Sequence, residues 1–232
     1  MNLFYAPDLQ ADSTNYIFNK DESRHISKVL RKSVGEEVYL TNGKGLFFTA
    51  EILDNHPKKT QVKIIKVEKK NQDKPLIHIA VAPTKSNDRF EWFLEKATEI
   101  GIQRVTPILT LHSERKKINP ERYEKILVSA MKQSLKVYKP SLSGLTKFKD
   151  FITRDWGDVQ KFMAYCHSDQ NLSTALNNNK VLILVGPEGG FSEEEVALAQ
   201  ANGFKPVGLS AHRLRTETAA LMAVATVQIC SK

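Results

Sequence analysis

The chain has 232 residues, of which 41% are hydrophobic, and this length suits one large domain or two small domains with a sizeable core. Its formal net charge of +8 suggests a polyanionic partner, but many basic proteins are merely soluble, so the distribution of the charge matters more than its sum. No apolar run approaches the roughly 18 residues of a membrane-spanning helix, and the first residues lack a charged region followed by an apolar one, so we expect a cytoplasmic protein that does not enter a membrane.

The first seventy residues are rich in β-forming side chains. Residues 36–53 contain two such runs on either side of Asn42 and Gly43, which predicts a β-hairpin, and Gln61–Val67 predicts a further strand. The polar stretch Lys69–Pro75 ends this pattern. We therefore expect a small β domain at residues 1–72 and a second domain at residues 73–232.

The second part of the chain alternates short apolar runs with segments of helical periodicity. Such runs predict buried strands. They lie at Leu76–Ala82, Val105–Leu109, Phe162–Cys166, Val181–Val185 and Pro206–Leu209. This alternation predicts an α/β fold with a mainly parallel sheet.

Three helices in this part have recognisable sequence signals. Phe90–Ile100 has apolar residues at helical spacing and is followed by Gly101, where a C-terminal cap belongs. Ser192 and Glu195 have the spacing of a capping box at a helix start. The last helix, about Glu217–Ile229, is apolar on nearly every side, so it should be buried either within one chain or between two chains.

Most of the excess positive charge lies in residues 113–149, where ten Lys and Arg residues oppose three Glu residues. Tyr123 and Tyr138 lie among these cations. A solvated helix face is the ordinary alternative, but clustered charge of one sign with aromatic residues favours a surface that contacts phosphates. The candidate residues for that surface are Arg115, Lys116, Lys117, Lys132 and Lys136.

A glycine-rich turn, Gly186–Gly190, connects a predicted buried strand to a capped helix. Ligands of α/β sheets bind at the carboxyl ends of strands, where glycines let a ligand approach the backbone. The turn lacks the Lys-Ser/Thr ending of a phosphate-binding loop and the glycine spacing of a dinucleotide site, and Glu188 would repel phosphates. The sequence therefore predicts a site for a cofactor with little negative charge, with a purely structural turn as the alternative.

A second polar loop, Gly208–Ala219, follows the next predicted strand, and its simplest function would be to cap a helix. The six histidines have no metal-ligand spacing, and no Gly-x-Ser-x-Gly motif occurs, so we expect neither a metal site nor acyl-enzyme chemistry. Cys166 and Cys230 fit no zinc or disulfide pattern, and we expect both to be reduced, part-buried thiols.

The turn and the second loop together resemble the signature of the ribosomal RNA small-subunit methyltransferase E family. The similar residues are Gly186–Ser192 and Leu209–Ala219. Further similar segments are Pro83–Lys85, Glu95–Gly101, Gln133-Ser134, His25 and Val29–Arg31. These motifs follow one another in the family's order over nearly the whole chain.

This resemblance implies a PUA-like β-barrel domain followed by a SPOUT domain, an α/β fold with a trefoil knot. It also implies S-adenosylmethionine as cofactor, a homodimer formed through the C-terminal domains, and N3-methyluridine in small-subunit (16S) ribosomal RNA as product. The implied cofactor-binding residues are Leu184, Gly186, Pro187, Glu188, Gly189, Gly190, Leu209, Ser210, Leu214 and Thr218.

The implied reaction requires uracil N3 to lose its proton before it can attack, so the enzyme must favour the anion. Arg215 is a candidate for stabilising the uracil charge or a phosphate. Glu217 is a candidate for accepting a proton or for holding Arg215, with helix capping and ion pairing as alternatives. Lys85 and Arg89 are further candidates for contacts with RNA.

The chain departs from the family pattern at Ser210, His212 and Arg213, where Gly, Arg and Ile are usual, and at Leu135-Lys136, where Gly-Arg is common. These differences affect the expected adenine packing and one expected RNA contact. Where lysine stands in place of arginine, the planar, bidentate recognition of phosphate is lost. Two other functions therefore stay open: a non-catalytic RNA-binding assembly factor, and a methyltransferase of the same superfamily that acts on tRNA or on a ribose hydroxyl.

Overall fold

The computed structural model describes residues 2–72 and 74–230, and the chain divides into two compact units. The first unit comprises Met1–Gln72 and Met131–Lys139, and the second comprises Asp73–Ala130 and Pro140–Lys232. The sequence did not indicate that residues 131–139 belong with the first unit. Asp73, at the predicted boundary, lies outside the described residues. Within the described ranges, no helix has both the length and the apolar character needed to cross a bilayer.

In the described part of the first unit, a five-stranded sheet has the spatial order β1-β3-β4-β5-β2. Its strands are β1 (Leu3–Tyr5), β2 (Asn15–Ile17), β3 (Glu37–Thr41), β4 (Leu46–Asp54) and β5 (Gln61–Lys69). Antiparallel pairing of β3 with β4 and of β4 with β5 confirms the predicted hairpin and the strand that follows it. Helix α1 (Lys20–Arg24) continues into a π-helical turn at His25–Val29. The strands β1 and β2 are too short for periodicity to predict.

Residues 131–139 are bonded to this sheet. The Thr41 hydroxyl donates to the Val137 carbonyl over 3.1 Å, and the Tyr138 hydroxyl donates to the Lys70 carbonyl over 3.0 Å. Lys132 forms an ion pair with Glu22 and is largely covered. Lys132 and Tyr138, both expected in a phosphate-contacting surface, therefore make stabilising contacts within the first unit.

The second unit is built on a sheet whose strand pairs are all parallel. Its strands are β6 (Leu76–Val81), β7 (Arg104–Leu109), β8 (Ser141–Leu142), β9 (Thr146–Lys147), β10 (Gln160–Ala164), β11 (Lys180–Val185) and β12 (Lys205–Val207). The order is β12-β10-β11-β6-β7-β8, and β9 also pairs with β7. The predicted α/β class and its five longer strands are confirmed, whereas β8 and β9 were not predicted.

Helices lie between these strands and after the last of them. They are α2 (Asn87–Ile100), α3 (Pro120–Gln133), α4 (Phe148–Ile152), α5 (Leu172–Ala175), α6 (Glu193–Ala201) and α7 (Thr216–Cys230). The cap at Gly101, with φ +125°, and the capping box of Ser192 with Glu195 are confirmed. These signals are local, which explains why sequence alone locates them.

Two apolar clusters cover the faces of this sheet. Alternate residues of β6 contribute to different clusters, because successive side chains of a strand point to opposite faces. Ile79 packs in the cluster that contains residues of α2 and α7, and Ala80 packs in the cluster that contains residues of α4 and α6. The sheet is thus buried on both sides, as its continuous apolar strands require.

Helix α7 is buried along one side only. Ala220, Ala223 and Val224 are fully buried, but Met222 is 40% exposed and Ile229 is 77% exposed. Packing within one chain therefore buries only part of its apolar surface, and the alternative that a second chain covers the rest stays a prediction. Packing against α2 and the sheet covers part of the helix surface and leaves the rest in solvent.

Tyr123 was expected among the cations of a phosphate-contacting surface, and the structure corrects this expectation. Its ring is fully buried in α3 beside Phe90, and its hydroxyl donates to Asn87 Oδ1 over 2.8 Å. A buried ring offers no face on which a base could stack. Its place in α3 therefore assigns Tyr123 to the core and not to a phosphate-contacting surface.

His78 is a titratable group in the core of the second unit. Its Nε2 lies 2.8 Å from Thr106 Oγ1, and its ring makes edge contacts with Phe151 and Trp156. Burial, with smaller effects from Arg104 and Arg154, lowers the pKa of His78 from 6.5 to about 3. The folded protein therefore keeps this imidazole neutral.

We expect the free energy of unfolding of the second unit to fall as pH decreases from about 6.5 towards about 3, because the unfolded chain protonates His78 and the folded chain does not. At about pH 5 the loss should be on the order of 2 kcal/mol. Replacement His78→Gln should reduce this pH dependence. Urea denaturation at two pH values, followed by fluorescence of Trp92 and Trp156 in this unit, measures it. Equal pH dependence in both proteins would contradict the assignment.

Candidate functional site

A cavity of about 600 Å³ lies at the edge of the second sheet where the parallel strands end. Its wall comprises Ala164–His167 after β10, Val185–Phe191 after β11, Leu209–Leu214 after β12, and Thr216 and Ala219 of α7. The carboxyl ends of parallel strands are where α/β sheets bind ligands, and this volume suits a small-molecule ligand. The turn that sequence analysis singled out is therefore one wall of a ligand-sized cavity.

The glycine turn is compact because its glycines lack side chains. Gly190 has φ +73°, and its N–H donates to the Pro187 carbonyl over 2.9 Å, which closes the turn. A Cβ atom on Gly186 would lie 3.1 Å from the Phe191 ring, and one on Gly189 would lie 3.1 Å from His112 Cβ. At its glycines the turn thereby presents backbone to the cavity.

The segment after β12 is bonded to the glycine turn. The Thr216 hydroxyl donates to the Gly186 carbonyl over 3.1 Å, and Arg213 Nη2 donates to the Glu188 carbonyl over 3.4 Å. Both the turn and this segment contribute to the cavity wall. The two loops therefore face one another. Arg213, which departs from the family pattern, supplies one of the two bonds.

The same segment is also bonded to the loop after β10. The Gly208 N–H donates to the Gln170 carbonyl over 2.8 Å, and the Gly208 carbonyl accepts from the Leu172 N–H over 3.0 Å. A Cβ atom on Gly208 would lie 3.4 Å from the Ser168 carbonyl oxygen. The chain after β12 thus passes close to two earlier loops.

Glu188 places a carboxylate in the cavity wall. Its Oε1 accepts from the Lys85 N–H over 3.2 Å. Its Oε2 is buried and, among the described residues, has no hydrogen-bond partner. A buried carboxylate oxygen without a partner favours a cationic group and disfavours a phosphate. This observation supports the expectation of a cofactor with little negative charge.

Glu217 is buried at the start of α7, and the structure pairs it with an unexpected residue. Its Oε1 lies 3.8 Å from Arg89 Nε, whereas an ion pair with Arg215 was one of the alternatives that the sequence suggested. Its Oε2 is buried without a hydrogen-bond partner in the described ranges. Arg215 is exposed between Leu214 and Thr216, both of which line the cavity. No ion pair or side-chain hydrogen bond involves Arg215 within the described residues.

Eight of the ten residues expected to bind the cofactor line this cavity. They are Gly186, Pro187, Glu188, Gly189, Gly190, Leu209, Ser210 and Leu214. The other two, Leu184 and Thr218, lie outside its wall, since Leu184 is fully buried in the apolar cluster beside α4 and α6. Hydrophobic periodicity does not show which side of the sheet a strand residue faces when both sides are buried.

Sequence analysis missed the part of the wall that follows β10. Tyr165, Cys166 and His167 line the cavity, and no motif distinguishes them. Their position at the carboxyl end of a predicted strand was the available signal. Cys166 and Cys230 are both exposed, so the expectation that they are part-buried thiols is wrong.

The basic residues that were expected to contact RNA differ in their surroundings. Arg115 donates through Nε to the Thr84 carbonyl and through Nη2 to the Lys85 carbonyl, at 3.0 and 2.7 Å. The Lys85 ammonium lies 2.9 Å from Glu114 Oε2. Lys116 and Lys117 are exposed. Lys132 and Lys136 belong to the first unit and the other five candidates to the second, so the basic run does not form one continuous element.

Residues 70–228 match the family model of an RNA methyltransferase domain, which covers more than half of the chain. The chain belongs to this RNA methyltransferase family. Residues 18–65 match the model of an RNA methyltransferase PUA domain. The expected order of a PUA-type β domain followed by a methyltransferase domain is thereby confirmed.

Relatives of this methyltransferase family resemble the chain over nearly its full length. The ribosomal RNA small subunit methyltransferase E of Rickettsia conorii is 29% identical, with 98% of this chain and 95% of the relative covered. The crystal structure of a probable rRNA-methyltransferase from Porphyromonas gingivalis is 39% identical, with TM-score 0.91 and 100% of both chains covered. The ribosomal RNA small subunit methyltransferase E from Neisseria gonorrhoeae, bound to S-adenosyl methionine, is 26% identical, with TM-score 0.87 and coverage of 99% and 97%.

Proposed function

We propose that this protein is an S-adenosylmethionine-dependent methyltransferase that methylates N3 of a uridine in small-subunit (16S) ribosomal RNA. The observation that carries the proposal is the cavity between the glycine turn and the segment after β12, in a chain of the RNA methyltransferase family. The Neisseria gonorrhoeae relative, which has S-adenosyl methionine bound, supports the choice of cofactor. We place the protein in the cytoplasm, as a homodimer formed through the second unit.

The cavity wall fits the chemistry of this cofactor. Leu209, Leu214 and Ala219 offer apolar surface to an adenosyl group, and the unpaired Glu188 oxygen favours the positive charge that S-adenosylmethionine carries. The glycine turn presents backbone groups that can form hydrogen bonds. When bound there, the cofactor supplies an activated methyl group.

The uridine must lose its N3 proton during the reaction, and the residues beside the cavity can promote this loss. Arg215 has no ion-pair partner among the described residues, so its charge is available to stabilise the uracil anion. We assign to Glu217 the positioning of Arg89 for contact with RNA phosphate, because its Oε1 is directed to that guanidinium. Lys116 and Lys117 are exposed, and we assign them to phosphate contacts as well.

The purified protein should transfer methyl groups from S-adenosylmethionine to small subunits, or to their RNA, taken from cells that lack the modification. Nucleoside mass spectrometry should identify N3-methyluridine as the product, because we assign to the exposed Arg215 the stabilisation of a uracil anion. A methylated ribose, or methylated tRNA alone, would instead support the related methyltransferases. Bound cofactor and RNA without methyl transfer would indicate an assembly factor.

Replacement Arg215→Ala should lower the single-turnover rate by about 10²–10³-fold, as expected when a donor to a developing anion is removed, and Arg215→Lys should retain part of the rate. Replacement Glu217→Gln should instead weaken RNA binding to the same degree as Arg89→Ala, because the ion pair orients Arg89. Rapid-quench kinetics at saturating RNA separate the two effects. A decrease of about 10²–10⁴-fold at saturating RNA for Glu217→Gln would make Glu217 the general base and contradict its positioning assignment.

The double replacement Lys116→Gln and Lys117→Gln should weaken RNA binding and reduce the slope of log affinity against log salt by about 0.7–0.9 for each phosphate that the variant no longer neutralises. The matched control is Lys180→Gln, an exposed lysine at the amino end of β11, away from the carboxyl edge of the sheet. Fluorescence anisotropy with labelled RNA at several salt concentrations measures the slopes. An unchanged slope in the double variant would remove these lysines from the interface.

A further inference from the structure

The loop between β7 and α3, residues 110–119, contacts the glycine turn directly. His112 Nδ1 lies 3.2 Å from the Gly190 carbonyl oxygen. Because a carbonyl oxygen only accepts, Nδ1 carries the hydrogen and donates it. The Leu111 N–H donates to Glu195 Oε1 over 2.8 Å, and Glu195 belongs to the capping box that follows the turn. We call residues 110–119 the β7 loop.

The β7 loop also holds the loop after β6. Arg115 donates to the Thr84 and Lys85 carbonyls, and Glu114 pairs with the Lys85 ammonium. The Lys85 N–H in turn donates to Glu188 Oε1, in the cavity wall. The β7 loop, the loop after β6 and the glycine turn are therefore connected in a closed ring of hydrogen bonds.

The exposed cations of the β7 loop follow these contacts immediately. Lys116 and Lys117 come next after Arg115, whose guanidinium is committed to backbone carbonyls. Lys117, to which we assign a contact with RNA phosphate, lies in the same loop as Leu111. The Leu111 N–H donates to Glu195 in the helix cap that follows the glycine turn. A phosphate that binds these lysines and orders the β7 loop therefore also restrains the residues of that loop that are hydrogen-bonded to the cavity wall.

We propose that the β7 loop couples RNA binding to cofactor binding, with His112 as the positioning residue that links the loop to the turn. This inference rests on the proposed function. RNA that orders the β7 loop also orders the glycine turn through the hydrogen bond from His112 to Gly190. The cofactor then binds to a turn that is already ordered. Linkage requires that the cofactor strengthen RNA binding by the same factor.

The coupling can be measured with S-adenosylhomocysteine, which occupies the site without transferring a methyl group. Titration calorimetry should give its Kd for the full-length protein alone and with saturating unmodified small-subunit rRNA transcript. We expect RNA to lower this Kd by about fivefold or more, a typical coupling between sites. The Kd of the RNA, measured with and without S-adenosylhomocysteine, should fall by the same factor.

Variants of adjacent residues test the role of His112. His112→Ala should bring the coupling factor close to one, and His112→Asn should restore much of it, because the asparagine amide can donate from nearly the position of Nδ1. Leu111→Ala is the matched control, since Leu111 is 70% exposed and its backbone donor remains. Gly189→Ala is a second test, because its Cβ would lie 3.1 Å from His112 Cβ and displace that ring.

The outcomes separate this inference from the proposed function. A coupling factor of one in the wild type, or an unchanged factor in both His112→Ala and Gly189→Ala, overturns the coupling while methyl transfer stands. Failure of the folded wild type to bind S-adenosylhomocysteine overturns the proposed function and the coupling with it. A factor that falls in His112→Ala and recovers in His112→Asn supports the coupling, because a decrease in stability alone would not recover in this way.

Discussion

The parallel arrangement of the second sheet is the constraint on which the rest of the site depends. Parallel strands bring all their carboxyl ends to one edge, so the loops after β6, β7, β10, β11 and β12 meet although they lie far apart in the chain. The cavity wall, the ring of hydrogen bonds through the β7 loop and the start of α7 all lie at this edge. An antiparallel sheet would direct half of these loops to the opposite edge.

Two buried carboxylates occupy this edge, and each has one oxygen without a hydrogen-bond partner among the described residues. Burial of an unpaired charged oxygen costs stability, so such groups are expected where they serve a ligand or orient another side chain. The other oxygen of Glu188 accepts from the backbone of Lys85, and the other oxygen of Glu217 faces Arg89. The short segment between Lys85 and Arg89 is thus contacted by one carboxylate from the glycine turn and one from the first turn of α7.

The distribution of positive charge shows why a count along the chain is an incomplete guide to a binding surface. Lys132 pairs with Glu22 in the first unit, and Arg115 donates to backbone carbonyls, so both side chains make contacts that stabilise the fold. Lys116 and Lys117 are exposed instead. In the same segment, Tyr123 lies on the buried side of α3, in the core. The number of positive charges in a segment is therefore not by itself evidence of a phosphate contact.

The sequence by itself determined the longer strands, the helix caps and the two principal site loops. The hairpin, the five longer strands of the second sheet, the Gly101 cap and the Ser192 capping box depend on residues a few positions apart, so local pattern was sufficient. Only the tertiary structure decided that the end of β10 joins the cavity, that Glu217 pairs with Arg89 and that His112 bonds the glycine turn. These contacts join residues that are distant in the chain, and their geometry follows from strand order and loop packing, which no local pattern encodes.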